Sequence, residues 1–174
     1  MSIPRQPVKI LLTIISLGIA VFWVWALFFP PSRDNVAAVD DTSWSIRANA
    51  LCQEANLQRD TLVDLRRINT VGPNALSERA DIIDEATAII QKMLDDVTSQ
   101  QLASPQDQKR VDTWRDIFQD WINGRIAYTA ILRTGENAPF AESMVEGSPA
   151  STLIDYFAQA NRMKSCGAPK DLAV

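Results

Sequence analysis

The amino-acid sequence predicts an all-α protein: an N-terminal single transmembrane helix, followed by an antiparallel up-down-up-down four-helix bundle closed by one disulfide. Three observations predict this fold. Residues 10–29 are apolar except for Thr13, Ser16 and Gly18. Beyond residue 42, apolar residues recur at intervals of three and four, and no segment alternates apolar and polar residues over the length of a strand. The chain has two cysteines, and both follow the apolar run.

The composition excludes several classes of function. The 174-residue chain contains no histidine, so a Ser-His-Asp or Cys-His nucleophile, an HExxH zinc site and a histidine pH switch are impossible. With Arg5 and Lys9 set aside, the 17 Lys and Arg residues become 15, against 21 Asp and Glu. Binding to a nucleic-acid backbone requires a concentrated cationic surface, whereas acidic residues are in excess here. The sequence therefore gives no positive support for an enzyme, a cofactor, a metal or a nucleic-acid partner.

Residues 10–29 have the length and character of a transmembrane helix. Twenty helical residues rise about 30 Å, which matches the hydrocarbon core of a bilayer. The two prolines that follow the run end the helix, because proline has no N–H donor. Arg5 and Lys9 precede the run, which predicts that residues 1–9 are a cytoplasmic tail. We therefore expect a single-pass protein of the cell membrane whose C-terminal domain lies outside the cytoplasm.

A cleaved signal peptide is the alternative interpretation of this segment. Val36-Ala37-Ala38 resembles a small-x-small cleavage site, and cleavage there would start the mature chain at Val39. The apolar region of a signal peptide runs only about 7–15 residues, so the longer run favours an anchor. Residues 30–42 then form a tether, and residues 43–174 form the extracytoplasmic domain.

Two long helices open this domain. Apolar residues recur at intervals of three and four through residues 43–69 and again through residues 75–101. This spacing predicts an amphipathic helix in each range, and Gly72-Pro73 separates them.

A serine-proline pair opens each of the next two helices. Ser104-Pro105 supplies an N-cap and a first helical residue for a helix that continues to about residue 133. Ser148-Pro149 supplies an N-cap and a first helical residue for a shorter helix that ends near Ser165. Asn123-Gly124 either kinks the third helix or splits it at a turn. Connections shorter than the helices make neighbours antiparallel.

Cys52 and Cys166 are expected to form a disulfide. Both lie in the part of the chain outside the cytoplasm, where paired thiols oxidise. Cys52 lies about 14 Å above the membrane end of the bundle, and the short fourth helix returns to about the same height. The alternative is a pair of buried free thiols.

The third helix carries candidate ligand-binding residues. Aromatic side chains recur on one face with an arginine among them, and this face either fills the bundle core or lines a pocket for an apolar ligand. The residues of the possible pocket are Trp114, Phe118, Trp121, Arg125 and Tyr128. Asp112, Asp116 and Asp120 form a ladder that we interpret as a solvated face, because the loop carbonyls of a calcium site are missing.

Residues 134–148 form the longest connection between the predicted helices of the domain. A connection of this length is usually functional or disordered. The residues through which this loop would contact a partner are Glu136, Phe140, Glu142, Met144 and Glu146.

These observations lead to two functional hypotheses. The first is a membrane-anchored extracytoplasmic helical bundle that acts through protein–protein contacts, as an accessory or assembly subunit of a bacterial envelope membrane complex. Its partners would be the bilayer, through residues 10–29, and a membrane or envelope protein. The alternative is an extracytoplasmic binding module with an apolar ligand pocket in the bundle core.

Overall fold

The structure is a computed structural model that describes residues 5–28, 37–62 and 74–172, with side chains described from residue 11 to 24 in the first range. The chain divides into two units, Met1–Val36 and Ala37–Val174. The tail residues 1–4, and residues 29–36 of the predicted anchor, tether and cleavage site, lie outside the described residues.

The first unit contains helix α1 (Arg5–Phe28). It begins before residue 10, so residues 5–9 of the predicted tail are helical. The described side chains of residues 11–24 are all exposed. Within the described part of the chain, we find no helix with both the length and the apolar character that crossing a bilayer requires.

The described residues of the second unit form a bundle of four α-helices. These are α2 (Thr42–Arg59), α3 (Ala75–Thr98), α4 (Pro105–Arg133) and α5 (Ala150–Ala160). Consecutive helices pack on one another. At the start of α2, the Trp44 indole donates to the carbonyl of Val97 at the end of α3, at 3.3 Å. Arg133 at the end of α4 pairs with Asp81 near the start of α3, at 2.6 Å. Helices α2 and α4 therefore each run antiparallel to α3.

Aromatic rings from three helices meet in the core. Phe157 of α5 stacks on Trp114 of α4, with ring centroids 5.2 Å apart, and meets Trp44 of α2 edge-on at 6.4 Å. Phe118 lies edge-on to Trp114 at 5.4 Å. Such pairs contribute roughly 0.5–1.5 kcal/mol each beyond the area that they bury.

Part of the predicted tether belongs to the bundle. Val39 is buried, and its N–H donates to Oδ1 of Asn161 at 2.7 Å. The Asn161 amide donates in turn to the carbonyl of Ala37 at 3.0 Å. Asp41 then caps α2 by accepting from the Trp44 N–H at 3.1 Å. The bundle therefore begins near residue 37, before the predicted boundary at residue 43.

The predicted helix over residues 43–69 is too long, because α2 ends at Arg59. The Thr61 hydroxyl donates to the Gln58 carbonyl at 2.7 Å and so closes the final turn. A threonine hydroxyl that bonds back to the backbone competes with continued helix. Residues 63–73, including Gly72-Pro73, lie outside the described residues.

Helices α3 and α4 lie where the sequence predicts them, although α3 ends slightly earlier, at Thr98. The Ser104 hydroxyl accepts from the Asp107 N–H at 3.2 Å, and Pro105 starts the helix. Helix α4 is continuous through Asn123-Gly124, so the alternative of a turn at this position is wrong.

A short hairpin precedes α5, where the sequence predicted only a loop. Strands β1 (Met144–Val145) and β2 (Ser148–Pro149) pair antiparallel. Glu146 and Gly147 form the turn with φ values of 50° and 80°, and a two-residue type I′ turn requires positive φ at both positions. Strands of two residues are too short to show an alternating pattern.

Helix α5 is shorter than predicted because the chain reverses after Ala160. Arg162 adopts the left-handed conformation, with φ of 57°, and the Met163 N–H donates to the carbonyl of Ala158 at 2.8 Å. These features define a Schellman motif, which ends a helix. The chain then forms a 3₁₀ helix, Lys164–Cys166, instead of continuing α5 to residue 165.

The predicted disulfide joins Cys52 of α2 to Cys166 of the 3₁₀ helix, with Cα atoms 5.1 Å apart. Asn56 donates to the Ser165 carbonyl at 2.8 Å, and the Ser165 N–H donates to Asn49 at 3.0 Å. The reversal after α5, and not the end of a long fourth helix, therefore brings the cysteines together. The predominantly helical fold and the disulfide are confirmed.

Candidate functional site

The candidate site is built around the C-terminal segment, which we define as residues 167–172. Asp155 of α5 accepts from the Ala168 N–H at 2.8 Å. A Cβ atom on Gly167 would lie 2.7 Å from an oxygen of Asp155, so glycine permits this close approach. Leu172 is buried in a cluster that includes Tyr128 of α4. The segment therefore joins α5 to α4.

Arg125 fixes the far end of this segment. Its side chain is 0% exposed, and its Nη1 and Nη2 donate to the two carboxylate oxygens of Asp171 at 2.9 and 2.8 Å. Its Nε donates to the Thr87 hydroxyl of α3 at 2.9 Å, and its guanidinium carbon lies 5.0 Å from the centre of the Trp121 ring. Charge-assisted bidentate pairs of this kind are among the strongest hydrogen-bonded contacts in proteins.

A second arginine lies close to this pair. Burial would raise the pKa of Asp171, but hydrogen bonds to Arg125 and the charges of Arg125 and Arg59 outweigh it, so the pKa falls below its ordinary value. Burial lowers the pKa of Arg59, while the charge of Asp171 opposes that shift. Within the described part of the chain, Arg59 Nε is buried without a hydrogen-bond partner. The charge of Asp60, the next residue along the chain, also opposes the lowering of the Arg59 pKa.

A cavity of about 400 Å³ lies on one side of the C-terminal segment, and we call it the aromatic groove. Its lining includes Trp121 from α4, Phe140 and Glu142 from the loop before the hairpin, and Ser151 from α5. Pro169 of the segment also contributes. The groove is therefore an aromatic and proline-rich surface with a few polar groups.

A cavity of about 680 Å³ lies between the C-terminal segment, the end of α2 and α5, and we call it the basic cavity. Three cations line it, namely Arg59, Lys164 and Lys170. Asp60 and Asp155 also line it, and the Asp155 carboxylate accepts a hydrogen bond from the Ala168 N–H. The segment contributes lining residues to both cavities.

The residues of the possible pocket do not share one cavity. Trp114 and Phe118 are buried in contact with each other in the bundle core. Trp121 packs edge-on against Phe118 at 5.8 Å and also lines the aromatic groove. Arg125 pairs with Asp171, and Tyr128 lies beside Leu172. The helical spacing of these residues therefore reflects core packing, and Trp121 connects that core to a surface groove.

Two of the five predicted loop residues hold the loop against the bundle. The Phe140 ring lies edge-on to Tyr128 at 5.5 Å and to Trp121 at 6.4 Å. Glu142 accepts from the N–H of Ser151 at 2.8 Å and from its hydroxyl at 3.0 Å. The remaining three are exposed, namely Glu136, Met144 and Glu146.

Glu142 therefore performs the capping role that the sequence assigns to Ser148. Ser148 lies in β2, and the residue before α5 is Pro149, which makes no side-chain capping bond. A carboxylate at a helix N-terminus satisfies free N–H groups and complements the helix dipole. The predicted serine cap is wrong because the hairpin fixes Ser148 in a strand pair.

The carboxylate ladder of α4 is largely paired. Arg115 bridges Asp112 at 3.2 Å and Asp116 at 3.0 Å, while Asp120 is exposed. Across residues 11–24, 37–62 and 74–172, no group of three or more carboxylates or cysteines is placed to hold a metal ion.

The side chains that line the two cavities can recognise anions and apolar groups. Guanidinium and ammonium groups recognise carboxylates, and aromatic rings accept apolar groups or cations. The residues that line the two cavities include no cysteine. Comparison with family models, curated proteins and solved structures finds no match for this chain.

The pairing of Asp171 predicts an acid-sensitive contribution to stability. Because its folded pKa is depressed, the contribution is present above the ordinary value of 3.8 and is lost as the pH falls through the folded pKa. Asp171→Asn should therefore lower the free energy of unfolding by about 3 kcal/mol at pH 6. Urea denaturation of both proteins should show this difference shrinking below pH 3.8. A difference that is independent of pH would contradict the assignment.

The capping role of Glu142 predicts a local loss of stability. Glu142→Ala should lower the free energy of unfolding by about 1 kcal/mol, because it removes the acceptor at the start of α5. Glu136→Ala is the matched control, since Glu136 is exposed in the same loop, and it should change stability by less than about 0.5 kcal/mol. Equal effects of the two substitutions in thermal denaturation would show that Glu142 is not a cap.

Proposed function

We propose that this protein is a membrane-anchored helical bundle outside the cytoplasm, which acts through protein–protein contacts as an accessory or assembly subunit of an envelope membrane complex. Residues 10–29 are the anchor, and the disulfide-linked bundle is the part that meets the partner. Two features support the location, and one surface of α4 supports the contact.

The location is supported first by α1. This helix, Arg5–Phe28, contains most of the apolar run of residues 10–29. Its described large apolar side chains are more than 45% exposed, for example Ile15 at 48% and Val21 at 63%. Exposed apolar surface is favourable in lipid and costly in water. The disulfide between Cys52 and Cys166 is the second support, because such bonds persist in oxidising compartments outside the cytoplasm.

The observation that carries the contact proposal is the outer face of α4 in its C-terminal half. Between residues 121 and 132 the exposed residues of α4 are all uncharged, namely Asn123, Ile126, Ala127, Ala130 and Ile131. The exposed Arg133 ends this face and pairs with Asp81 and Asp84 of α3. Ile126 is 53% exposed and Ile131 is 40% exposed. Two alanines between two isoleucines leave a shallow depression into which the side-chain ridge of another helix can pack. Contiguous exposed apolar surface marks interaction sites, so we assign this face to a helix of the partner.

The first half of the same helix provides a contrast. Its exposed positions include Lys109, Asp116 and Asp120, so its surface is charged and well solvated. The change from charged to apolar surface within one helix is not required by core packing, because the buried residues on the other face continue along its whole length. This contrast makes the two halves of α4 natural test and control surfaces.

The second candidate function is a binding module for an apolar ligand, and the aromatic groove supports it. About 400 Å³ falls within the usual range for ligand pockets, and aromatic walls with few polar groups are typical of them. The groove lies under the loop at the bundle surface and not in the bundle core, where the sequence-based hypothesis places the pocket.

Site-specific photocrosslinking of the full chain in native membranes tests the contact. A benzoylphenylalanine at Ile126 should give one discrete adduct with a membrane protein, and the same probe at Asp116 should give none. Ile131→Asp should abolish the adduct at position 126, because a charge then replaces apolar surface that the partner helix covers. Equal crosslinking from both positions, or none from either, would contradict the proposed contact.

The same membranes test the anchor. The protein should resist extraction by alkaline carbonate, and mass spectrometry should find its N-terminus at residue 1 or 2. A mature chain that begins at Val39 would contradict the anchor without changing the interpretation of the crosslinks.

A further inference from the structure

We infer that the basic cavity is a binding site for a monoanionic carboxylate, which pairs with the guanidinium group of Arg59. This site is separate from the outer face of α4, and its test does not depend on the partner proposed above. The ligand carboxylate belongs either to a small free acid or to the C-terminus of a peptide. Charge balance, hydrogen-bond geometry and cavity size support the inference.

Charge balance provides the first argument. Both oxygens of Asp171 accept from Arg125, so this carboxylate already serves another guanidinium, while Asp60 acts on Arg59 through its charge. Arg59 makes a long bond of 3.4 Å to the Asn56 side chain, and its Nε is buried without a partner among the described residues. Buried charged donors are normally paired. Around the cavity, four positive charges, of Arg59, Arg125, Lys164 and Lys170, face the three negative charges of Asp60, Asp155 and Asp171. The cluster therefore carries one excess positive charge, and Arg59 Nε lacks an acceptor among the described residues.

The composition of the cavity provides the second argument. Lys164 and Lys170 add two ammonium groups to its lining, and Gln159 adds an amide. Asp155 also lines the cavity, but its carboxylate accepts from the Ala168 N–H at 2.8 Å and holds the segment in place. A volume of about 680 Å³ accommodates a small organic acid or the last residues of a peptide.

The ligand should carry one negative charge and not two. A carboxylate is planar and matches the fork of a guanidinium group, and one such charge neutralises the cluster. A phosphate dianion would bring a second negative charge close to Asp60 and Asp155, which line the same cavity. Like charges at short range are unfavourable where solvent screening is reduced.

A purely structural role for Arg59 explains less. Arg59 is the last residue of α2, where a cation complements the helix dipole. That role requires only a positive charge near the last turn of α2, and a fully solvated arginine side chain would provide it. It does not explain a guanidinium whose burial lowers its pKa and whose Nε lacks an acceptor within residues 37–62 and 74–172.

Nuclear magnetic resonance of the full chain in detergent micelles, with ¹⁵N-labelled arginine, tests the site. Titration with sodium acetate should shift the Arg59 Nε–H resonance in a saturable manner, with a Kd in the millimolar range, about 1–10 mM. Sodium chloride at the same ionic strength should not produce this shift, and sodium phosphate should bind more weakly than acetate. Acetylated glycylglycine and its C-terminal amide distinguish the sources, because tighter binding of the peptide acid than of acetate identifies a peptide C-terminus.

Two variants complete the test. Arg59→Gln removes the Arg59 Nε–H resonance and so identifies it. This variant should bind acetate at least about 10-fold more weakly, as measured from the Nε–H resonance of Arg125. Arg133→Gln is the matched control, because Arg133 pairs with Asp81 and Asp84 on α3, and it should leave binding unchanged. If circular dichroism shows that Arg59→Gln does not fold, Lys170→Gln replaces it and should weaken binding several-fold. Absence of a saturable shift, equal affinity in the Arg59 or Lys170 variant, or tighter binding of phosphate would each overturn the inference.

Discussion

The charge of the buried Arg125 guanidinium on α4 is balanced by one carboxylate, that of Asp171. Arg125 is fully buried, and without Asp171 it would be an uncompensated charge in the core, which costs about 3–5 kcal/mol. Satisfying it requires residues 167–172 to cross from α5 to α4. The position of those residues creates the walls of both cavities, so one ion pair determines the geometry of the candidate site as well as the stability of this side of the bundle.

The disulfide and the chain reversal after α5 restrict the position of the segment that carries Asp171. The left-handed residue Arg162 reverses the chain, and Cys166 then joins Cys52 across 114 residues. Closing a loop of this length removes unfolded-state entropy equivalent to about 4–5 kcal/mol in the chain-entropy treatment. Asp171 follows the crosslink closely, so only a few residues remain to be ordered before it reaches Arg125. The disulfide therefore lowers the conformational entropy that is lost when the Arg125–Asp171 ion pair forms.

The sequence predicted what local pattern controls and missed what depends on contacts between distant residues. The long periodic stretch that follows Ser104 predicts α4 almost to the residue, and the two cysteines that follow the apolar run predict the disulfide. The helical spacing also places Arg125 on the aromatic face of α4, but it does not identify a partner for its charge. Its partner Asp171 lies in a segment without periodicity, and Glu142 caps a helix from across a hairpin too short to leave a pattern. Neither contact has a local signal.

The central claim is that Arg125 and Asp171 act as one unit, and a double-mutant cycle tests it most directly. The measurement is the free energy of unfolding, at pH 6, of the wild type, Arg125→Met, Asp171→Leu and the double variant. Each single substitution should destabilise the protein by about 3 kcal/mol, because it leaves the opposite charge buried and unpaired. The double variant should be more stable than the sum of the two losses predicts, with a coupling of about 2 kcal/mol or more. Losses that add to within about 0.5 kcal/mol would contradict the account.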